Sequence, residues 1–479
     1  MAVTPDIDFT TRRGRPSLVI PARPTPQELK RLSDLDDQES MRIYSNWVYL
    51  FRSNPSLELD PAAVVRAALA EVLVHYYPLA GRLREEAGRK LLVDCSGQGV
   101  VFVEADADVS VDELRDVPCP PFPRYQEFIY DDHVYRTAKV PGLPNILNQP
   151  LVYVQVTRLK CGGFVVSHRT CHCMCDAPGM AQMWRAIGEL ARGANKPSVT
   201  PIWGREVFNA RNPPRPSLPH IEYREPAGDD RMASTPGEDM VCMQFVFARH
   251  AIDVLRSRVP TARSRFELVA ACIWRSRTAA LGYDPEEEVR LCIVVNTRYR
   301  PGGFPAEFQI SGFYGNAFAY AVAACTAGEL CGHGLAYAAG LIRDAKESIN
   351  YQYLLSVADL MVLEGRPLFA WKRTLILSDL SRTVMHDVDI GWGRAVYGGP
   401  ARAGGGVLTG INTYILRQKN DKTGEEETVV PVYLPHGDCM EMFQNEVEAL
   451  TTLAPVGESL ITPLYTGPGQ QNLAPCAKL

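Results

Sequence analysis

The chain has 479 residues, of which 46% are hydrophobic and 22% charged, with a formal net charge of -5. These values are typical of a globular protein with two or three domains, and they exclude an intrinsically disordered chain. An acidic balance without long basic runs gives no electrostatic support for nucleic-acid binding.

The amino-terminal region and the 13 cysteines indicate the compartment. The first residues carry charges and prolines instead of the apolar core of a secretory signal, and no run of apolar residues is long enough to span a membrane. The cysteines form no CxxC pair. We therefore expect a reducing, intracellular compartment, free thiols and no membrane segment.

Hydrophobic periodicity predicts strands and helices mixed in both halves of the chain, which is the pattern of an α/β protein. The predicted elements, in chain order, are a helix over 61–75, strands over 91–95, 99–108, 151–159 and 163–172, a helix over 181–193, a strand over 240–247, a helix over 264–282, a strand over 289–298, a helix over 333–349, strands over 368–379, 406–416 and 427–435, and a helix over 439–453.

A stretch rich in Pro, Asn and Arg interrupts this periodicity and predicts a crossover linker between two domains. We place the linker at residues 195–225, between an amino-terminal domain (1–194) and a carboxy-terminal domain (226–479).

A histidine and an aspartate stand where the strand over 163–172 should end in a loop. His172 and Asp176 are spaced as His-x-x-x-Asp within TCHCMCDAPG (170–179). An alcohol that attacks a thioester must lose its proton, and an imidazole with a pKa near 6.5 can accept it at neutral pH. The pattern therefore makes His172 a candidate general base, although a core histidine with Asp176 as a helix cap would have the same spacing.

Three cysteines flank His172 and leave two other chemistries open. Cys171, Cys173 and Cys175 could contribute to a zinc site, although their spacing does not resemble the usual paired ligands. One of them could be a nucleophile, but alternation along a strand places all three on the face opposite His172. Buried free cysteines are often small apolar residues without chemistry. We expect no metal.

Two signatures about two hundred residues apart resemble the BAHD acyltransferase family. His172 to Asp176 resembles its HxxxD motif, and Asp389-Ile-Gly-Trp-Gly393 resembles its DFGWG motif. Supporting segments run along nearly the whole chain: YYPLAGRL (76–83), VFVEADAD (101–108), PIWGREVFNAR (201–211), FELVAACIWRSRTAAL (266–281), VVNTR (294–298), YGNA (314–317) and LSDLSR (377–382).

This resemblance implies a fold, a reaction and its substrates. The fold should be α/β with two domains of similar size, each a mixed sheet flanked by helices, and a central channel, as in chloramphenicol acetyltransferase. His172 should deprotonate an alcohol that attacks an acyl-CoA in a ternary complex. Acyl-CoA is then a co-substrate, and no permanently bound cofactor is expected. A catalytically silent binding paralogue is the alternative, which the intact His172 and Asp176 disfavour.

The resemblance also implies roles for residues around the two motifs. Asp176 should be structural and pair with an arginine, for which Arg298 is the candidate. Trp392 is a candidate support for the oxyanion. The remaining candidates are structural Asp389, Gly391 and Gly393, and coenzyme A contacts at Ser378, Ser381 and Arg382. Ile390 replaces the phenylalanine of DFGWG, and Leu380 stands where tryptophan is common. We expect these two replacements to affect local packing more than catalysis.

Three segments resemble the branch of the family that makes volatile and benzoyl esters: LSDLDDQESMRIY (32–44), HCMCDAPGMAQ (172–182) and YGNA (314–317). The reaction that this implies is transfer from benzoyl-CoA to benzyl alcohol, giving benzyl benzoate, as in benzenoid and salicylic-acid metabolism. An acetyl-CoA alcohol acetyltransferase and a hydroxycinnamoyl or taxane-type transferase are the alternatives on the same scaffold.

The sequence ends in Ala477-Lys478-Leu479, which resembles the tripeptide read by the peroxisomal import receptor. We therefore expect a peroxisomal protein, with the cytoplasm as the alternative. The family resemblance implies a monomer.

Overall fold

The computed structural model describes residues 2–3, 7–115, 120–131, 145–228, 230, 232, 239–298, 300, 302–305, 308, 310–403, 410–420, 423–435, 438–452 and 464–465. The carboxy-terminal tripeptide 477–479 lies outside these residues. None of the helices in the described ranges is both long and apolar enough to cross a membrane.

The described residues form two large mixed sheets and one small sheet, with helices packed against them. The strands are β1 (Ala2–Val3), β2 (Thr11–Arg13), β3 (Ser17–Val19), β4 (Leu29–Arg31), β5 (Tyr44–Phe51), β6 (Arg82–Glu85), β7 (Leu91–Asp94), β8 (Val100–Ala107), β9 (Val152–Leu159), β10 (Phe164–Cys171), β11 (Met240–Phe247), β12 (Glu288–Asn296), β13 (Phe318–Thr326), β14 (Thr374–Asp379), β15 (Tyr397–Pro400), β16 (Asn412–Lys419), β17 (Glu426–Pro435) and β18 (Leu464–Tyr465). The α-helices are α1 (Pro61–His75), α2 (Val111–Arg115), α3 (Tyr125–Phe128), α4 (Ala177–Ala191), α5 (Arg249–Arg258), α6 (Arg265–Leu281), α7 (Ala327–Gly332), α8 (Leu335–Glu347), α9 (Tyr351–Leu363) and α10 (Asp438–Thr451).

The first sheet has the strand order β15-β5-β10-β9-β8-β2, and β3 also pairs with β8. Strands β8 and β9 are parallel, whereas the other neighbours are antiparallel. Helices α1 and α4 pack on each other beside this sheet. Strand β10, which leads to His172, lies between β5 and β9 and is buried along its whole length.

The second sheet has the order β1-β18-β11-β17-β16-β14-β12-β13. Its central pairs β12–β14 and β14–β16 are parallel, and β12–β13 is antiparallel. Helix α6 is buried on nearly every side and packs against α5, α7, α8 and α10. The predicted α/β class with two mixed sheets flanked by helices is confirmed.

Capping residues define the ends of several helices. The Asp60 side chain accepts from the backbone N–H of Ala63, and Pro61 occupies the first turn of α1. Ser264 caps α6 in the same way, and Gly282 ends it in the left-handed conformation at φ 58°. Local side-chain chemistry therefore sets these boundaries as the sequence predicts.

Other boundaries differ from the predictions. The helix expected over 181–193 begins at Ala177, because Asp176 caps it and Pro178 fits its first turn. The strand expected over 368–379 comprises only β14. Several elements were not predicted, among them β5, β13, α5 and α9.

The predicted linear division into domains does not separate the chain cleanly in space. Strand β15 belongs to the carboxy-terminal half of the sequence, yet it pairs with β5 at the edge of the first sheet. The expected linker 195–225 also contributes to the core, because Arg205 and Glu222 are buried within it. The two halves are therefore joined by buried contacts as well as by the chain.

Candidate active site

His172 follows directly after β10, where the chain leaves the first sheet. Its backbone N–H donates to the carbonyl of Ile43 (2.8 Å), and its own carbonyl accepts from Nδ2 of Asn316 (2.8 Å). The ring lies edge-to-face to that of Phe318, with centroids 6.0 Å apart. Contacts from both halves of the chain thus fix the histidine at the boundary between the two large sheets.

Asp176 uses both carboxylate oxygens for structural contacts. They accept from Nη1 and Nη2 of Arg298 at 2.6 and 2.9 Å, which is the two-pronged geometry favoured by a guanidinium and a carboxylate. The backbone N–H groups of Gly179 and Ala317 also donate to it, each at 3.0 Å. Asp176 therefore caps α4 and ties the histidine loop to the second half of the chain, and Arg298 is its arginine partner.

The surroundings of His172 favour the neutral imidazole. Burial lowers the pKa of His172, and its own backbone, the charge of Asp176, the Asn316 side chain and the charge of Asp36 offset this only in part. Nδ1 of the ring is enclosed. A neutral imidazole has one nitrogen with a free lone pair, so His172 can accept a proton at neutral pH.

A cavity opens at His172 between the two large sheets. One wall comes from the first sheet and the segment before it, and the other from β12, β13, β14 and β16 of the second sheet. The apolar and aromatic lining residues are Met41, Ile43, Trp47, Cys175, Ala177, Pro178, Met180, Val294, Phe318, Tyr320, Leu368, Phe369, Trp371, Ile376, Leu380 and Tyr414. The polar lining residues include Ser40, Ser45, Thr170, Asn296, Ser378, Asp379, Thr383 and Asn412.

Only one of the three expected coenzyme A contacts lines this cavity. Ser378 does so from β14. The Ser381 hydroxyl instead donates to the Asp379 carboxylate at 2.5 Å, and Arg382 is exposed outside the cavity. In the chain these two residues follow Asp379, which lines the cavity, by two and three positions.

The second signature forms a compact turn. The Asp389 carboxylate accepts from the backbone N–H groups of Gly391 (2.8 Å) and Gly393 (3.0 Å). Both glycines have positive φ, 109° and 87°, which an L side chain rarely adopts. Arg192, just after α4, donates to the carbonyl of Asp389. The motif thus holds the chain against the far end of α4.

The structure does not bring Trp392 to His172. The Trp392 ring contacts Phe164 edge-to-face, with centroids 5.2 Å apart. Phe164 begins β10 and His172 follows its end, and eight residues of extended strand span about 26 Å. The expected oxyanion role of Trp392 is therefore at odds with its position. Its ring packs, like Ile390, against the apolar cluster formed by the first sheet and helices α1 and α4.

The flanking cysteines are buried, but Cys175 lines the same cavity as His172, which the expected alternation did not predict. Cys171, Cys173 and Cys175 are all buried, and burial raises the pKa of the Cys173 and Cys175 thiols well above its ordinary value. A buried thiol with a raised pKa is a poor nucleophile. Within the described ranges, no group of three or more His, Cys, Asp or Glu could hold a metal ion.

Sequence reasoning missed several residues around His172. Asp36, Arg205 and Asn316 form a buried polar group behind the histidine loop, and no prediction assigned them a role. Asn316 lies in YGNA and Asp36 in the acidic run 34–37. Both segments contribute to the family resemblance, but the resemblance does not indicate these contacts. Their side-chain partners are up to 280 positions away in the chain, which local patterns do not report.

Comparison with known proteins agrees with this site. The family model described as "Transferase family" matches residues 10–450. Benzyl alcohol O-benzoyltransferases of Nicotiana tabacum and Petunia hybrida are each 46% identical, covering 95% and 93% of this chain and 96% and 94% of their own. An alcohol acyl transferase 1 (allele GSa) of Malus domestica is 43% identical over 92% of this chain and 94% of its own.

Solved structures share the fold at lower identity. Vinorine synthase matches with a TM-score of 0.66 at 20% identity, covering 92% of this chain and 98% of its own. TRI101 of F. graminearum, in complex with coenzyme A and T-2 mycotoxin, matches with a TM-score of 0.65 at 16% identity, covering 86% and 96%.

The chain therefore belongs to the Transferase family, the BAHD acyltransferases. Within that family it is an acyl-CoA-dependent alcohol O-acyltransferase.

Proposed function

We propose that the protein transfers the benzoyl group of benzoyl-CoA to benzyl alcohol, giving benzyl benzoate and free coenzyme A, with His172 as the general base. The observation that carries the proposal is the neutral imidazole of His172 at a cavity between two sheets. The names of the two relatives at 46% identity support the choice of donor and acceptor.

The proposed reaction uses His172 twice. With the proton of the neutral ring on the enclosed Nδ1, the lone pair of Nε2 takes the hydroxyl proton of the alcohol as its oxygen attacks the thioester carbonyl. The tetrahedral intermediate then breaks its carbon–sulfur bond and releases the ester. The leaving thiolate of coenzyme A recovers the proton from His172, so the enzyme returns to its starting state.

The walls of the cavity support aromatic substrates. Trp47 contributes from the first sheet, whereas Phe318, Tyr320, Phe369 and Trp371 contribute from the second half of the chain. Aromatic rings bury a large area and favour offset or edge-to-face contacts with other rings. A cavity with this lining is suited to a benzoyl group and a benzyl group, with the polar residues near His172 left to orient the reacting atoms.

A donor and acceptor competition tests this proposal. Purified protein receives equal concentrations of benzoyl-CoA and acetyl-CoA with benzyl alcohol, and mass spectrometry identifies the ester while a thiol reagent follows free coenzyme A. Benzyl benzoate in excess over benzyl acetate is expected. Benzyl acetate as the main product would make the protein an acetyltransferase, and no thiol release with either donor would contradict both substrates.

Three finer assignments accompany the main proposal. Ser378, Ser381 and Arg382 contact coenzyme A; Ser378 lines the cavity, and the other two are neighbours in the chain of the lining residues Leu380 and Thr383. Ala477-Lys478-Leu479 directs the protein to the peroxisome, which loss of punctate fluorescence after removal of Leu479 from an amino-terminally tagged protein would support. The protein is a monomer, which light scattering at assay concentration checks.

A further inference from the structure

A run of buried acidic residues precedes β5. Asp34, Asp36, Asp37 and Glu39 are each at most 6% exposed, although carboxylates are rarely buried unless paired. Each therefore requires a partner in the core, and the partners differ along the run.

Asp36 is paired with two polar side chains from distant parts of the chain. Its Oδ1 accepts from Nη1 of Arg205 (2.7 Å) and from both the backbone N–H (3.1 Å) and Nδ2 (2.8 Å) of Asn316. Its Oδ2 accepts from the backbone N–H of Ser33 at 3.1 Å. Asp36 is fully buried, and Arg205 and Asn316 are 1% and 2% exposed.

The two partners of Asp36 hold the loop that carries His172. Nδ2 of Asn316 also donates to the carbonyl of His172 at 2.8 Å. Nη2 of Arg205 donates to the carbonyl of Met174 at 2.5 Å. One carboxylate thus pairs with both side chains that hold the loop, and the backbone N–H of Ala317, next to Asn316, donates to Asp176.

We propose that Asp36 is a positioning residue for the general base, which acts through Arg205 and Asn316 to hold the backbone of the His172 loop and thereby the imidazole. The proposal rests on the proposed role of His172. It adds to the HxxxD pair a second carboxylate, 136 positions before the histidine in the chain, that does not line the cavity. The negative charge of Asp36 also favours the protonated ring during turnover.

Several charged or titratable groups besides Asp36 lie near His172. Asp176 and Cys175 lie on the same loop, Arg205 comes from the linker, Arg298 follows β12 and is neutralised by Asp176, and Asp379 ends β14 across the cavity. Among these groups, the charge of Asp176 raises the pKa of His172, as the charge of Asp36 does.

Asp37 is a matched control within the same run. It is as buried as Asp36, and it pairs with Nε and Nη2 of Arg366 at 2.8 and 2.9 Å. Its other contacts are the backbone N–H of Leu91 and Nζ of Lys90. None of these partners contacts the His172 loop by a hydrogen bond in the described part of the chain, and Asp34 also pairs with Arg366.

The test compares Asp36→Asn, Asn316→Ala and Asp37→Asn with the full-length wild type. NMR of protein with labelled histidine rings follows the titration of His172, assigned by its loss in His172→Ala. We expect the pKa of His172 to fall in Asp36→Asn and Asn316→Ala and to stay unchanged in Asp37→Asn. We also expect kcat for thiol release to fall by up to about 100-fold in Asp36→Asn, as misplaced reacting groups can cause.

Two results would overturn the proposal. One is a folded Asp36→Asn variant with the wild-type His172 titration and kcat. If that variant does not fold, an unchanged titration and kcat in folded Asn316→Ala would have the same meaning. Because NMR needs no substrate, an inactive wild-type protein would contradict the proposed function and still leave the positioning of His172 measurable.

Discussion

At the scale of single residues, the reactive group and the group that fixes its loop are two different side chains. His172 lines the cavity as a neutral base, whereas all hydrogen-bond contacts of the Asp176 carboxylate are with Arg298 and backbone N–H groups. The HxxxD spacing predicted both residues and the resemblance predicted Arg298. The opposite wall of the cavity that makes His172 reactive comes from strands more than one hundred positions away in the chain, so the spacing alone left a structural histidine possible.

Asp176→Ala is expected to lower the free energy of unfolding by about 3–5 kcal/mol, because it leaves the buried guanidinium of Arg298 without its carboxylate. Asp60→Ala is the matched control: Asp60 also caps a 15-residue helix and also pairs with an arginine, Arg158, but at the surface. It should cost only about 1 kcal/mol. Urea unfolding checks both, and equal small losses would contradict a buried structural role for Asp176.

At the scale of elements, the sequence predicted those that local chemistry determines. The ends of α1 and α6 follow from their caps, and the strands over 152–159 and 240–247 follow from their apolar runs. Strands β5 and β13 escaped prediction because their burial depends on partners far along the chain, which for β5 are β10 and β15. Pairing over such distances has no local signature.

Within the second signature, Trp392 is the residue whose expected role does not match its position in the structure. Trp392→Ala should lower the free energy of unfolding by about 2 kcal/mol, as for the loss of a large apolar side chain, and leave kcat near the wild-type value. Thiol release and urea unfolding of the same preparation separate the two effects. A large fall in kcat without a loss of stability would restore a direct role of the indole in catalysis.

At the scale of the whole molecule, two sheets joined by a buried polar group enclose a reaction site that neither sheet forms alone. The first sheet supplies His172 and Trp47, and the second supplies the opposite wall. Strand β15 crosses back to the first sheet, and Arg205 of the linker pairs with Asp36. The domain boundaries predicted from composition could not anticipate these contacts. Composition shows where the chain changes locally, but not which distant segments pair in the fold.

The stability of the whole molecule should fall in mild acid. His168 is buried between the rings of Tyr49 and Trp184, and burial lowers its pKa to about 3. Below about pH 6.5 the His168 ring takes up a proton in the unfolded chain but not in the folded chain. The contribution of the neutral His168 to the free energy of unfolding is therefore fully present only above that pH. It should decline by up to about 1.4 kcal/mol per pH unit as the pH falls towards 3.

The urea midpoint measured between pH 7 and pH 4 checks this prediction, with His168→Phe as the control that lacks the titrating ring. The variant should lose less stability on acidification than the wild type. Parallel curves for the two proteins would show that His168 does not contribute.

The central claim is that His172 takes the proton of the alcohol, and thiol release by His172→Ala with the donor and alcohol that the wild type turns over tests it most directly. Folding is checked first by urea unfolding. We expect kcat to fall by about two to four orders of magnitude, as loss of a general base typically causes. We also expect kcat/KM of the wild type to rise with pH through a pKa below the ordinary value for histidine. A folded variant that loses less than about tenfold in kcat would contradict the claim, because general-base catalysis is normally worth more than that.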